Sequence, residues 1–261
     1  MNQMNRISAL MTSRKKGILS VFFTAGFPSL DKTVQIACAL EKAGVDLIEI
    51  GVPFSDPVAD GPVIQESNKV ALENGITVSL VLEQLAEIRR RINIPIILMG
   101  YVNPILQYGF EKFCTDASKA GADGLILPDL PLDVYERKYK SAVSDAGLLN
   151  ILLISPTTSD ERIRKIDSAS EGFIYAVAAS STTGVREGFA AEQVDYFNRL
   201  NSMQLRNPLL AGFGISNSET FQTACKYTAG AIVGSAFIKM IKDSTNIEVD
   251  VKSFVKNLKG I

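Results

Sequence analysis

Eight times along this chain a short apolar run gives way to a loop rich in Gly, Pro, Ser or Asp and then to a stretch with helical spacing. The runs fall at 18–24, 47–50, 95–99, 124–127, 149–154, 172–177, 208–211 and 230–233. Most are apolar at successive rather than alternate positions. Such strands need cover on both faces, which a parallel sheet wrapped by helices provides. The joints echo one another as well. Lys42-Ala-Gly-Val-Asp-Leu-Ile-Glu-Ile50 resembles Lys119-Ala-Gly-Ala-Asp-Gly-Leu-Ile-Leu127, and Asp145-Ala-Gly147 and Thr228-Ala-Gly230 stand at equivalent points. Each reads as a helix end closing on Gly before a buried strand. Helices are expected over 29–43 (Ser29 as N-cap, Gly44 as stop), 63–74, 77–91 (capped by Thr77), 110–120, 132–146, 160–168, 191–203, 216–227, 236–242 and 249–259. Ile7 and Leu10 add one turn of a short N-terminal helix lying against the larger body. Eight units in this length fit an α/β fold, a single-domain (β/α)8 TIM barrel over residues 1–261 with that N-terminal helix and extra helices. The rival is an open doubly wound sheet, but no GxGxxG follows the first strand.

Composition removes several function classes. With 261 residues, 46% hydrophobic and 21% charged, the chain has ample core material for a globular protein. A formal net charge of −1 leaves no electrostatic footprint for nucleic acid or an anionic membrane. The longest apolar run, near Ile94 to Val102, is too short to span a bilayer, and Met1 to Lys16 lacks the apolar segment of a signal peptide. Cys38, Cys114 and Cys225 lie far apart with no CxxC, as expected of reduced, packed thiols in a cytoplasmic protein, and no metal site is read. There is no histidine. That excludes Ser-His-Asp and Cys-His nucleophiles and imidazole acid–base chemistry, so protons must move through Asp, Glu, Tyr, Lys or Cys.

In a barrel, working residues gather at the C-terminal ends of the strands and in the loops that follow. The second run carries Glu49 in its middle, and a buried carboxylate is costly unless hydrogen-bonded, paired or protonated. A silent ion pair or a working acid would satisfy that condition. The loop after it, Gly51 to Pro62, contains Pro53, Pro57, Asp56 and Asp60 and is stiffened by its prolines. Glu49, Asp60, Asp129 and Tyr175 are the candidate acids and bases. Asp56 reads as a turn or contact residue, Asp129 more as a structural one, and Tyr175 as either core or site. Gly212-Phe-Gly-Ile-Ser216 and Gly234-Ser235 set glycines at helix starts, and Thr183-Gly184 lies in a polar loop over 178–188. Bare N–H groups at a helix N-terminus suit phosphate. Glycines in βα turns also serve tight geometry alone, but two such turns on neighbouring strands favour a phosphorylated small-molecule ligand. Phe22, Tyr101 and Phe213 either wall a pocket for a flat apolar ligand or fill the barrel.

The run Glu49-Ile-Gly-Val-Pro-Phe-Ser-Asp-Pro-Val-Ala-Asp-Gly-Pro62 resembles the signature of the tryptophan synthase alpha chain family. Thr24-Ala-Gly-Phe-Pro28, Leu98-Met-Gly-Tyr-Val-Asn-Pro104, Pro128-Asp-Leu-Pro131, Ser155-Pro-Thr-Thr158 and Gly212-Phe-Gly-Ile-Ser216 match further family blocks in order. The resemblance implies a barrel that cleaves indole-3-glycerol phosphate to indole and glyceraldehyde 3-phosphate. It implies no cofactor in this chain, and a beta chain partner, in an alpha2beta2 assembly, whose pyridoxal phosphate joins indole to serine. By position, Glu49 would be the general acid–base and Asp60 would engage the indole N–H, with Tyr175 packed near Glu49. Phe22, Tyr101, Leu127 and Phe213 would wall the indole. Thr183, Gly184, Gly214, Gly234 and Ser235 would surround the phosphate. Pro53, Phe54, Asp56, Pro57, Asn103 and Pro104 would face the beta chain. The chain departs from the family pattern at Ser181 and Thr182, where Gly and Val are common. Two alternatives stay open: an alpha-type chain acting mainly as an activator of its partner, and another phosphate-binding barrel isomerase.

Overall fold

A computed structural model of the chain describes residues 4–177, 191–212 and 214–260. Its strand segments are β1 Ile18–Thr24, β2 Leu47–Gly51, β3 Ile96–Met99, β4 Gly124–Ile126, β5 Leu149–Asn150, β6 Leu152–Ile154, β7 Ile174–Val177, β8 Leu209–Gly212 and β9 Gly230–Val233. They form one sheet in the order β5-β4-β3-β2-β1-β9-β8-β7-β6, and every pair is parallel. The two ends of that order, β5 and β6, are separated in the chain only by Ile151. β5 pairs with β4, β6 pairs with β7, and the Ile151 N–H donates to the Leu125 carbonyl at 2.9 Å. The predicted fifth strand is therefore one run that changes neighbour midway and closes the sheet into the expected barrel.

Around it lie α1 Arg6–Ser13, α2 Lys32–Lys42, α3 Pro62–Glu73, α4 Val78–Arg89, α5 Val102–Tyr108, α6 Phe110–Ala120, α7 Leu132–Val134, α8 Lys140–Asp145, α9 Asp160–Ala169, α10 Ala191–Ser202, α11 Ser218–Tyr227, α12 Ser235–Lys242 and α13 Ile247–Lys259. Thr77 caps α4 as expected, its side chain accepting the Leu80 N–H. Ser29 does not cap α2: its hydroxyl donates to Asp31 at 2.6 Å, and the helix starts at Lys32. The helix expected over 132–146 is broken by a π turn, Tyr135–Tyr139. That wider turn buries both tyrosines and sets Tyr139 on Phe110 with ring centroids 4.1 Å apart. Helix α5, which carries Pro104, is not among the helices expected from sequence. The proline falls in the first turn, where its missing N–H costs nothing, and Asp129 accepts the Val102 N–H at 3.0 Å.

Strand alternation sorts the core into two layers. Ile18, Leu47, Ile97, Ile126, Ile151, Phe173, Tyr175, Leu210 and Ile232 fill the barrel, and Ile7 and Met11 of α1 plug its lower end. Leu19, Val21, Phe23, Ile48, Ile50, Ile96, Leu98 and Leu125 point outward to the helices. Burying side chains of this size contributes about 1.5–3 kcal/mol each. Asp123 ties the plug to the barrel: it is buried and accepts from Arg6 at 2.9 Å, Arg89 at 2.9 Å and the Ile96 N–H at 2.8 Å. Among the described residues no helix is long and apolar enough to cross a membrane.

Candidate active site

The site lies where the strands end. A cavity of about 710 Å³ opens at the C-terminal side of the barrel, lined by Phe22, Asp60, Met99, Pro128, Tyr175, Gly214, Gly234, Ser235 and Lys239, among others. That volume suits a small organic substrate. An open groove of about 880 Å³ lies outside the barrel against α2 and α4, bordered by Gln35, Glu41, Lys42, Glu87 and Arg91. It is larger, but it lacks buried acids and sits away from the strand tops.

Glu49 stands at an inward position of β2, fully buried just below the cavity. Its Oε1 accepts the Ser20 hydroxyl at 2.8 Å, and its Oε2 has no partner among the described residues. Burial pushes its carboxyl up to about 7, against a smaller downward pull from Ser20. No cation among the described residues forms the silent ion pair considered from sequence. Asp60 lines the cavity from the loop after β2 and accepts the Tyr101 hydroxyl at 3.2 Å. Burial raises its carboxyl to about 6, and Tyr101 again opposes the rise. The chain thus holds two acids at the mouth whose ionisation is displaced toward neutrality.

Tyr175 of β7 lines the cavity beside them. Burial first, and then the charges of Glu49 and Asp60, drive its phenol well above its ordinary value, so it stays protonated. Its ring occupies the space of a missing side chain: a Cβ on Gly212 would overlap it. Gly51 does the same for Phe22, whose ring would lie 2.7 Å from an added Cβ. Tyr101 is buried behind the cavity lining, against Asp60. Its oxygen accepts the Ala59 N–H at 2.9 Å while donating to Asp60, and its ring packs on Phe54 at 5.4 Å. Ile126 takes the inward position on β4, so Leu127 faces the helical layer, and Pro128 lines the cavity instead.

At the far side, α12 begins directly at the cavity. Gly234 and Ser235 line it, and no side chain caps the helix. Its first N–H groups are open to an anion. The neighbouring α11 is different: Asn217 and Thr220 form a capping box that occupies its own N-terminal donors. Gly214, in the left-handed region at φ 77°, lies in the loop between β8 and α11 and lines the cavity. Lys239 enters the lining one turn after Ser235, a cation that motif reading did not single out. Helical i, i+4 spacing was the available signal. Thr183, Gly184, Phe213 and the departures Ser181 and Thr182 lie outside the described residues.

The surface loop reads less uniformly than expected. Asp56 and Asn103 are exposed, Phe54 and Pro104 are partly covered, and Pro53 and Pro57 are buried. Pro53 and Pro57 stiffen the loop from within. Val58 is the exposed apolar residue, at 86%, and with Phe54, Asp56 and Pro57 it borders a groove of about 580 Å³ against α3.

Fold and mouth together define a class of protein, the (β/α)8 barrels with carboxylates set beside an anion-receptive helix end. The family follows from comparison with known proteins. The model of the tryptophan synthase alpha chain family matches residues 8–260, and the chain belongs to that family. It is 56% identical to the tryptophan synthase alpha chain of Flavobacterium psychrophilum over 241 residues, covering 92% of this chain and 95% of that one. Against the same protein of Christiangramia forsetii it is 54% identical over 258 residues, covering 99% and 100%. The solved tryptophan synthase subunit alpha of Legionella pneumophila superimposes with a TM-score of 0.89 at 33% identity, covering 99% of this chain and 98% of that one.

Proposed function

We propose that the chain cleaves indole-3-glycerol phosphate to indole and glyceraldehyde 3-phosphate, the alpha reaction of tryptophan synthesis. The observation that carries the reading is the placing of two acids, Glu49 buried just below the cavity and Asp60 in its wall, with an uncapped helix start on the same cavity. The phosphate would rest on the N–H groups at Gly234 and Ser235, with Lys239 adding positive charge. Phe22 and Tyr175 would flank the indole, and Asp60, ionised, would accept its N–H.

The chemistry then needs one proton to leave and return. Glu49, protonated near pH 7, gives its proton to the ring carbon that bears the glycerol chain. Asp60 stabilises the positive charge that appears at the ring nitrogen. The Glu49 carboxylate next takes the proton of the adjacent hydroxyl. The carbon–carbon bond breaks, its electron pair restores the aromatic ring, and the hydroxyl carbon becomes the aldehyde. Glu49 carries the proton both ways while Asp60 holds the ring nitrogen, and no imidazole is required.

Indole would pass to a beta chain carrying pyridoxal phosphate, in an alpha2beta2 assembly. The Phe54–Val58 edge and Asn103 offer that partner an exposed surface. The test is indole release from indole-3-glycerol phosphate, with and without beta chain. Glu49→Gln should lower turnover about 10²–10⁴-fold. Equal turnover by native protein and variant in the presence of the partner would overturn the reading.

A further inference from the structure

Glu49 is held by a neighbour that no motif points to. Ser20 is a polar residue inside β1, fully buried, between Leu19 and Val21. In the β1–β2 register Phe22 stands opposite Glu49 and Ser20 opposite Leu47, so Ser20 is the inward position one step closer to the barrel's lower end. From there its hydroxyl donates to Glu49 Oε1 at 2.8 Å, and Oε2 is left without a partner. The two carboxyl oxygens are therefore unequal, one tethered to the barrel wall and one available.

We propose that Ser20 is a positioning residue for the reaction: its hydroxyl anchors one oxygen of Glu49 and steadies the carboxylate form inside the barrel. The inference rests on the reading above that Glu49 carries the proton. Without the hydroxyl, a carboxylate at this depth has neither cation nor donor among the described residues, and the neutral acid gains. The other groups facing Glu49 do not replace it. β1 adds Phe22, β3 contributes Ile97 and Met99, and β9 contributes Ile232, all apolar. Tyr175 on β7 and Asp60 in the loop are titratable, but a phenol and a carboxyl bring Glu49 no positive charge, and neither donates to it. Proton return requires the carboxylate form, so the anchor favours the second half of the cycle, while burial favours the first.

The experiment reads Glu49 directly in the full chain, by carbon-13 NMR of carboxyl-labelled glutamate across pH. The Glu49 signal is assigned by its loss in Glu49→Gln. Ser20→Ala should raise the Glu49 midpoint by about one unit, and Ser20→Thr, which keeps the hydroxyl, should leave it near the native value. In parallel, the high-pH limb of indole release should move up by the same amount in Ser20→Ala and not in Ser20→Thr. Thermal melts confirm that both variants fold. A midpoint unmoved in Ser20→Ala, or moved equally in Ser20→Thr, overturns the role of the hydroxyl. If the midpoint moves as expected but native protein with its partner releases no indole, the anchor stands and the proposed reaction falls.

Discussion

At the scale of single residues, Tyr101 braces the loop that carries Asp60. Its hydroxyl joins Asp60 to the Ala59 N–H, and its ring leans on Phe54. Donation to the carboxylate lowers the Asp60 midpoint, opposing the burial that lifts it to about 6. Tyr101→Phe removes the donor, so Asp60 should hold its proton to higher pH. In the proposed mechanism Asp60 acts ionised. The low-pH limb of kcat/KM should accordingly shift upward by about half a unit to one unit in this variant. A pH profile that overlays the native one would show that Tyr101 does not set the charge of Asp60.

At the scale of elements, the N-terminal helix seals the barrel from below. Ile7 is fully buried and fills the space above Gly124 and Gly172, where an added Cβ would come within 2.9 and 2.8 Å of it. Truncating it leaves a cavity that its rigid strand neighbours cannot fill. Ile7→Ala should cost about 2–5 kcal/mol in urea unfolding, with indole release from the remaining folded protein unchanged. The helix was legible only as a turn bearing Ile7 and Leu10, because its task depends on which barrel end it meets. Elements of this kind mark the boundary of what sequence conveys here. Apolar runs closing on Gly read as strands because period and joint agree locally. The division at Ile151, the π turn at Tyr135–Tyr139 and the outward face of Leu127 depend on register with distant neighbours. Glu49 was visible as an anomaly in an apolar run, whereas Ser20 was not. A serine in a strand becomes informative only when pairing brings it to an acid 29 positions away.

At the scale of the whole molecule, the raised acids tie stability to pH. Glu49 titrates at about 7 in the fold against an ordinary 4.5, so the folded chain holds that proton more tightly than the unfolded one. Its contribution is fully present below 4.5 and is lost as pH rises to about 7. On that span the loss is on the order of 3 kcal/mol. Glu49→Gln removes the linkage. Its stability relative to native should therefore be greater by about that amount at pH 8 than at pH 5, as read by urea unfolding at both values. A difference that does not change with pH would show that burying this carboxylate carries no such penalty.

The closure of the barrel has a further consequence for synthesis. β1 is among the first segments made, and its partner on one side is β9, Gly230–Val233. The second open edge is the growing one: the Leu149–Ile154 run pairs with β4 through β5 and waits for β7 through β6. A chain emerging from the ribosome therefore carries two unpaired strand edges through most of its translation. Neither β1 nor the Leu149–Ile154 run has both neighbours until the later strands appear, and the ring is complete only when Val233 has cleared the exit tunnel. Exposed edges of this kind invite pairing with other chains. The same circular hydrogen bonding that leaves the finished barrel without an edge makes its last strand the one that ends its exposure to aggregation.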